Sequence, residues 1–175
     1  MLDLTKSLKE AFKSHPDFPK PGILFCDILP VLRNPDLFNS LIREFEKIKF
    51  VLDSEAIIAI DARGFIFGSA LSFYLKKPLI LTRKPGKLPG ELISHSYSLE
   101  YGENTLCIQK ESITKYNTFC IIDDLLATGG TASAVEKILL DQSKIVTGLA
   151  VVVELIKLKG SEKLNCPVCS IVELK

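Results

Sequence analysis

The chain has 175 residues, a length that suits one domain with a sizeable core. Its 22 Lys and Arg against 21 Asp and Glu leave a net charge of +1, which gives no support to a nucleic-acid surface, and no apolar run is long enough to cross a bilayer. Hydrophobic residues at 47% and charged residues at 25% are those of a globular protein, and Met1-Leu2-Asp3-Leu4-Thr5-Lys6 shows no secretory pattern, so a cytosolic location is expected.

Leu4, Leu8, Ala11 and Phe12 form one face of a short helix. Three prolines and a glycine then predict an irregular loop from Ser14 to Gly22. In Ile23-Leu24-Phe25-Cys26-Asp27-Ile28-Leu29-Pro30 apolar groups surround one acid. Asn34-Pro35-Asp36 starts a helix whose apolar stripe is Phe38, Leu41, Ile42, Phe45 and Ile48. Ala56–Ile60 reads as a buried strand ending at Asp61-Ala62-Arg63-Gly64, and 65–75 reads as a largely buried helix. A strand that ends in a polar loop at a helix start is anion-site geometry, and the Arg63 fork suits phosphate oxygens.

Pro78–Leu81 is a third strand. Arg83, Lys84 and Lys87 follow among prolines and glycines, so the segment to Glu91 is basic. Tyr97 to Gly102 alternates and then turns, Cys107–Gln109 reads as another short strand, and residues 112–117 read as a turn. The five cysteines are scattered through apolar segments and read as reduced thiols; Cys166-Pro167-Val168-Cys169 has no second pair to complete a zinc site. Ile145 to Val153 gives an apolar strand broken by Gly148, and 168–172 a last one.

The richest stretch is Phe119-Cys120-Ile121-Ile122-Asp123-Asp124-Leu125-Leu126-Ala127-Thr128-Gly129-Gly130-Thr131. It runs from an apolar strand through two acids into a glycine turn. A helix follows with Ala132, Val135, Ile138 and Leu139 inward and Glu136 and Lys137 outward. Successive N–H groups in the turn, with the hydroxyls of Thr128 and Thr131, make a phosphate site. No Walker lysine is present, and the acids precede the glycines. Carboxylates there suit vicinal hydroxyls, or a metal bridging to them. The ligand suggested is a ribose carrying a 5′-phosphate. Side chains alternate along a strand, so both acids meet one sugar only if the chain leaves β geometry near Asp124.

Asp123 to Thr131 resembles the phosphoribosyl-diphosphate (PRPP) motif of the type I phosphoribosyltransferases, in the form of their adenine-specific branch. The resemblance runs from about Phe18 to the carboxyl end, and its motifs occur in the family's order. It implies one α/β domain over 1–175, a mainly parallel twisted sheet flanked by helices. A small hood would occupy about 1–33, and a lid loop with its return strand about 83–106. It implies base binding by Leu24, Phe25, Cys26 and Leu125, with Phe25 as the stacking ring. Cys26, where a basic side chain is common, and Leu29, where a hydroxyl residue is usual, depart from the pattern. Asp61, Arg63, Arg83, Lys84 and Lys87 would line the diphosphate, with Mg²⁺ held through diphosphate and ribose hydroxyls and no firm protein ligand. A cis peptide near Asp61-Ala62 is also implied. Ala127, Thr128, Gly129, Gly130 and Thr131 would hold the 5′-phosphate, Asp123 and Asp124 the ribose, and Glu100 would assist the base proton.

The reaction implied is adenine plus PRPP giving AMP and diphosphate, by a homodimer, with no nucleic acid or membrane as partner. A 6-oxopurine transferase and a non-catalytic PRPP-binding regulator are the alternatives. The first lacks a lysine in the hood to read a 6-oxo group. The second lacks an added DNA-binding domain and the charge for it.

Overall fold

In a computed structural model, residues 4–18, 20–22, 24–99 and 102–175 are described. Five strands form one wholly parallel sheet, in the order β4 (Leu79–Thr82), β3 (Ala56–Ile60), β7 (Thr118–Leu126), β8 (Ile145–Leu155) and β9 (Val168–Leu174). All five residues of β3 are buried, as expected of a strand covered on both faces. On one face Ile57, Cys120, Ile122 and Ala150 pack with α1 (Leu4–Ala11), α2 (Pro35–Glu46), α3 (Lys49–Asp53) and α4 (Gly64–Leu75). On the other, Ile58, Ile121 and Leu149 pack with α6 (Gly130–Asp141) and with a hairpin. That hairpin is β5 (Leu92–Leu99) paired antiparallel with β6 (Gly102–Gln109). The α/β class with a parallel sheet is as the sequence implies.

Asn34 caps α2 as expected, its Oδ1 accepting from Leu37 N at 3.1 Å. Several expectations are corrected. The loop expected over 14–22 contains a strand, β1 (Lys13–Pro16), paired with β2 (Leu24–Asp27) through His15 opposite Phe25. All four β1 residues are exposed, so it has no buried face and no alternation to read. The helix expected to run to Ile48 ends at Glu46, and α3 follows. Residues 110–114 form α5 (Lys110–Thr114) rather than part of a turn. The return strand expected at Tyr97 begins at Gly102; Tyr97 lies on the outgoing strand, opposite Asn104. Strand β8 continues through Gly148, which faces the Phe50 ring, but its register against β7 shifts just before it, with Phe119 opposite Val146 and Cys120 opposite Gly148.

Candidate active site

The carboxyl ends of β3 and β7 lie side by side, where ligands bind in open parallel sheets. Beyond β3 the Asp61–Ala62 peptide is cis, as the sequence resemblance implies. The loop leads Arg63 into the start of α4. Arg63 Nε lies 2.8 Å from Asp124 Oδ2, and its Cζ sits 5.2 Å from the centroid of the Phe25 ring. Phe18 packs edge-on against Phe25 at 5.1 Å. The hood ring, the arginine and the second acid therefore form one stack. Arg63 Nη1 and Asp124 Oδ2 are buried without an aligned hydrogen-bond partner. Buried polar atoms left so are expensive, and at a strand end they mark a place a polar ligand would fill.

Pairing of β7 with β8 continues past the acids, through Asp123 opposite Val151 and Leu125 opposite Val153. Asp124 itself has no ladder partner, and the alternation reverses there: Ile122 and Leu125 pack on one face of the sheet, Ile121 and Leu126 on the other. The chain therefore does leave regular β geometry near Asp124, as expected. The two carboxylates interact with each other at the strand end, and Asp123 Oδ1 lies 2.7 Å from where a Cβ on Gly64 would stand, beside Arg63. Asp124 pairs with Arg63, and Asp123 also borders the recess beside the glycine turn. Asp123 Oδ1 accepts from Asp124 N at 2.8 Å. Burial, and then the neighbouring Asp124 charge, pushes the Asp123 carboxyl well above its usual range. Burial also raises Asp124, against the Arg63 charge that lowers it. The free pair thus holds a proton more tightly than exposed aspartates would.

The recess is a cavity of about 90 Å³ lined by Asp123, Leu125 and residues 126–132, with Leu149 and Val151 behind. It brings together Ala127, Thr128, Gly129, Gly130 and Thr131, all expected at the phosphate. Gly129 has φ +76° and caps α6, so Gly130 and Thr131 open the helix with free N–H groups facing the recess. A side chain at Gly129 would overlap the Gly160 carbonyl, and one at Gly160 would overlap the Ala127 carbonyl and lie 2.9 Å from Gly129 N. The two backbones are in direct contact.

Arg83 Nε meets Asp61 Oδ2 at 3.1 Å, and its Cζ lies 5.8 Å from the Phe65 ring. Lys84 and Lys87 are exposed in the turn after it. The structure therefore brings Asp61, Arg63 and Arg83 to the strand ends but leaves the two lysines in solvent. Cys26 is buried in β2, and burial raises its thiol. Leu24 is placed by its backbone in the same strand. Leu125 is half buried and packs toward the hood-side core. Glu100 lies outside the described residues.

Sequence reasoning missed three residues. Tyr97 Oη lies 3.1 Å from Thr131 Oγ1, a contact hidden by the hairpin register. Gly160 touches the glycine turn from the tail, where an isolated glycine gives no signal. Glu136, expected outward, is 1% exposed. It accepts from Cys166 N at 2.7 Å and Asn165 N at 3.0 Å.

Among the described residues no three His, Cys, Asp or Glu side chains converge to hold a metal ion. The carboxylates of Asp61, Asp123 and Asp124 are hard oxygen donors spaced along the strand ends. That set fits a magnesium ion held by one or two carboxylates plus substrate oxygens, not an all-protein cage.

Comparison with known proteins bears on this geometry. Residues 35–168 match the phosphoribosyl transferase domain. An adenine phosphoribosyltransferase of Prochlorococcus marinus is 54% identical over 167 residues, covering 95% of this chain and 97% of that one. The adenine phosphoribosyltransferase of Mycoplasmopsis fermentans is 48% identical over 155 residues, with coverages of 89% and 90%. Among solved structures, the enzyme of Thermoanaerobacter pseudethanolicus superposes with a TM-score of 0.90 at 38% identity, covering 97% and 99%. The Saccharomyces cerevisiae enzyme, complexed with adenine and an imino-altritol bisphosphate, gives 0.88 at 37% identity, covering 98% and 99%.

Proposed function

The chain belongs to the phosphoribosyltransferase family, in its adenine-specific branch, and on that premise we infer that it transfers the 5-phosphoribosyl group of PRPP to adenine, giving AMP and diphosphate. The observation that carries this reading is the order of groups across the carboxyl ends of β3 and β7. The Phe25–Arg63 stack comes first, then the adjacent acids, then the glycine recess. A nucleobase, a sugar and a phosphate require that order.

The 5′-phosphate sits in the recess on the N–H groups that open α6, with hydroxyls from Thr128 and Thr131. The base stacks on Phe25, reads the backbone of Leu24 and Cys26, and lies against Leu125. The ribose lies at the end of β7, with Asp123 and Asp124 at its hydroxyls. As the bond from C1′ to the diphosphate breaks, the ring gains positive charge. Two carboxylates within the site stabilise that charge most, because they are oriented beforehand in a poorly solvated place. Arg63, Arg83, Lys84 and Lys87 take the charge gathered on the departing diphosphate, with Asp61 orienting Arg83. The exposed lysines reach it when the segment over 83–106 closes as a lid and excludes water. The base nitrogen bonds to C1′ and the base gives up one proton; Glu100 receives or relays it. Magnesium, when bound, neutralises diphosphate and ribose oxygens, and Asp61, Asp123 and Asp124 are the residues that would hold it.

We divide the chain into a hood over about 1–33, a core, and the lid, all serving one site. All five cysteines are free, which favours a reducing compartment, the cytosol. We assign the working form as a homodimer. Helix α4 is apolar on every side, with Phe73 89% exposed beside Ile66 and Tyr74. Such a helix needs a partner surface.

The test is a panel of adenine, hypoxanthine, guanine and xanthine with PRPP and Mg²⁺, following diphosphate release. Adenine is expected to turn over best. Faster turnover of hypoxanthine or guanine would overturn the reading.

A further inference from the structure

Among the described residues, the lid hairpin meets the phosphate recess through a polar contact between Tyr97 and Thr131. Along β5, Ile93 and Tyr97 point to the core face that carries α6, as a period of two requires. The Tyr97 ring packs on the first turn of α6, where a Cβ at Gly130 would lie 3.3 Å from Tyr97 Cδ2. Its hydroxyl reaches Thr131 Oγ1 at 3.1 Å. Thr131 also lines the recess.

A threonine hydroxyl has one proton to give and two lone pairs. A phosphate oxygen accepts only. The two hydroxyls in contact must choose a direction, and only one direction serves a phosphate. If Tyr97 donates, the Thr131 proton is free to point into the recess. If Thr131 donates to Tyr97, that proton is turned away. We propose that Tyr97 is a positioning residue for the 5′-phosphate: its phenol donates to Thr131 Oγ1 and so directs the threonine proton at the phosphate. The chain of donors from phenol to hydroxyl to phosphate is polarised in one sense, which strengthens each link. It also ties the seating of the hairpin to an occupied recess. The inference rests on the phosphoribosyl reading of the recess but not on the choice of base.

The test uses Tyr97→Phe, which keeps the ring against Gly130 and removes only the hydroxyl, and Thr131→Val, which removes the acceptor at similar shape. Ribose 5-phosphate binding is measured by calorimetry, and KM for PRPP, KM for adenine and kcat by steady-state kinetics. Loss of one hydrogen bond predicts a rise of about five- to tenfold in Kd for ribose 5-phosphate and in KM for PRPP. In Tyr97→Phe, KM for adenine and kcat stay within about twofold, a split that general loosening of the fold would not give. The double variant is no weaker than Thr131→Val alone, because Tyr97 acts through Thr131. Wild-type affinity in Tyr97→Phe, or losses that add in the double variant, would overturn the proposal. A second measurement needs no substitution. Ribose 5-phosphate should slow hydrogen exchange in β5 of the wild-type protein, and unchanged exchange there also counts against it. Because calorimetry reads ribose 5-phosphate alone, a wild-type protein that binds it yet ignores adenine would refute the proposed reaction while leaving this inference standing on its own result.

Discussion

Arg63 is held between Phe25 and Asp124, with Cζ 5.2 Å from the ring centroid and Nε 2.8 Å from Oδ2. One side chain thus joins the hood to the strand end. Its planar cation spans a gap that in the proposed reaction belongs to base and sugar.

Arg63 lowers the Asp124 carboxyl against a larger upward push from burial. Replacing it by methionine keeps bulk against Phe25 and removes the charge. The carboxyl then rises further, since the opposite charge that favoured its ionised form is gone. The acidic limb of kcat/KM for PRPP should move to higher pH in Arg63→Met, and the plateau should fall by about 10²-fold. A pH–rate profile across the acid range decides this. A limb that stays in place would mean the pair of acids does not govern activity.

Asp123 predicts a stability effect of opposite sense. Its carboxyl is raised well above the unfolded value, first by burial and then by Asp124. A raised carboxyl binds more protons folded than unfolded. Stability of the free protein therefore falls as pH rises from about 4, the unfolded value, through the raised folded value. Asparagine carries no charge and retains an oxygen for the Asp124 N–H, which now donates to Oδ1. Asp123→Asn should melt higher than the wild type near neutral pH, by about 2–4 °C for each kcal/mol of relieved cost. The gain should vanish at low pH while turnover is largely lost. Thermal melts of both proteins over a pH series test it, and a variant that melts lower at neutral pH would contradict the assigned burial cost.

How legible all this was in the sequence varied with the kind of order involved. The parallel strands and the helices over 35–46, 64–75 and 130–141 carry their own signal, because burial on one or both faces writes a period into the residues. The acids and the glycine turn were legible for a related reason, since charge and missing side chains stand out against apolar runs. Strand β1 was not, because it is held by hairpin pairing and buries nothing. Glu136 was read as outward on helical period alone. It is inward because two backbone N–H groups of the tail need an acceptor there. The Tyr97–Thr131 contact spans 34 residues and depends on a strand register that local pattern does not encode.

Gly160 and Gly129 make a prediction about the recess from outside it. The Gly160 backbone lies against Ala127 and Gly129 with no room for a Cβ. Gly160→Ala must push the phosphate turn or the tail aside. The expected cost is about 1–3 kcal/mol of stability, the usual penalty of overpacking. KM for PRPP should rise more than KM for adenine, because in the proposed reaction the displaced turn holds the phosphate. Melting temperature and the two KM values, taken together, separate a shifted recess from simple destabilisation.

Glu136 is the buttress of the same region. Its carboxylate, 1% exposed, accepts from Asn165 N and Cys166 N at 3.0 and 2.7 Å. Removing it leaves two backbone donors facing apolar surroundings, at about 1–3 kcal/mol each. Glu136→Ala should therefore lower the melting temperature by several degrees, on the scale of about 2–4 °C per kcal/mol. Glu136→Gln keeps one acceptor oxygen in place and should recover part of the loss. The buttress works through the tail that carries Gly160, so both variants should weaken ribose 5-phosphate binding in the order of their destabilisation. Full stability in Glu136→Ala would show that the tail finds other acceptors and that the recess does not depend on this carboxylate.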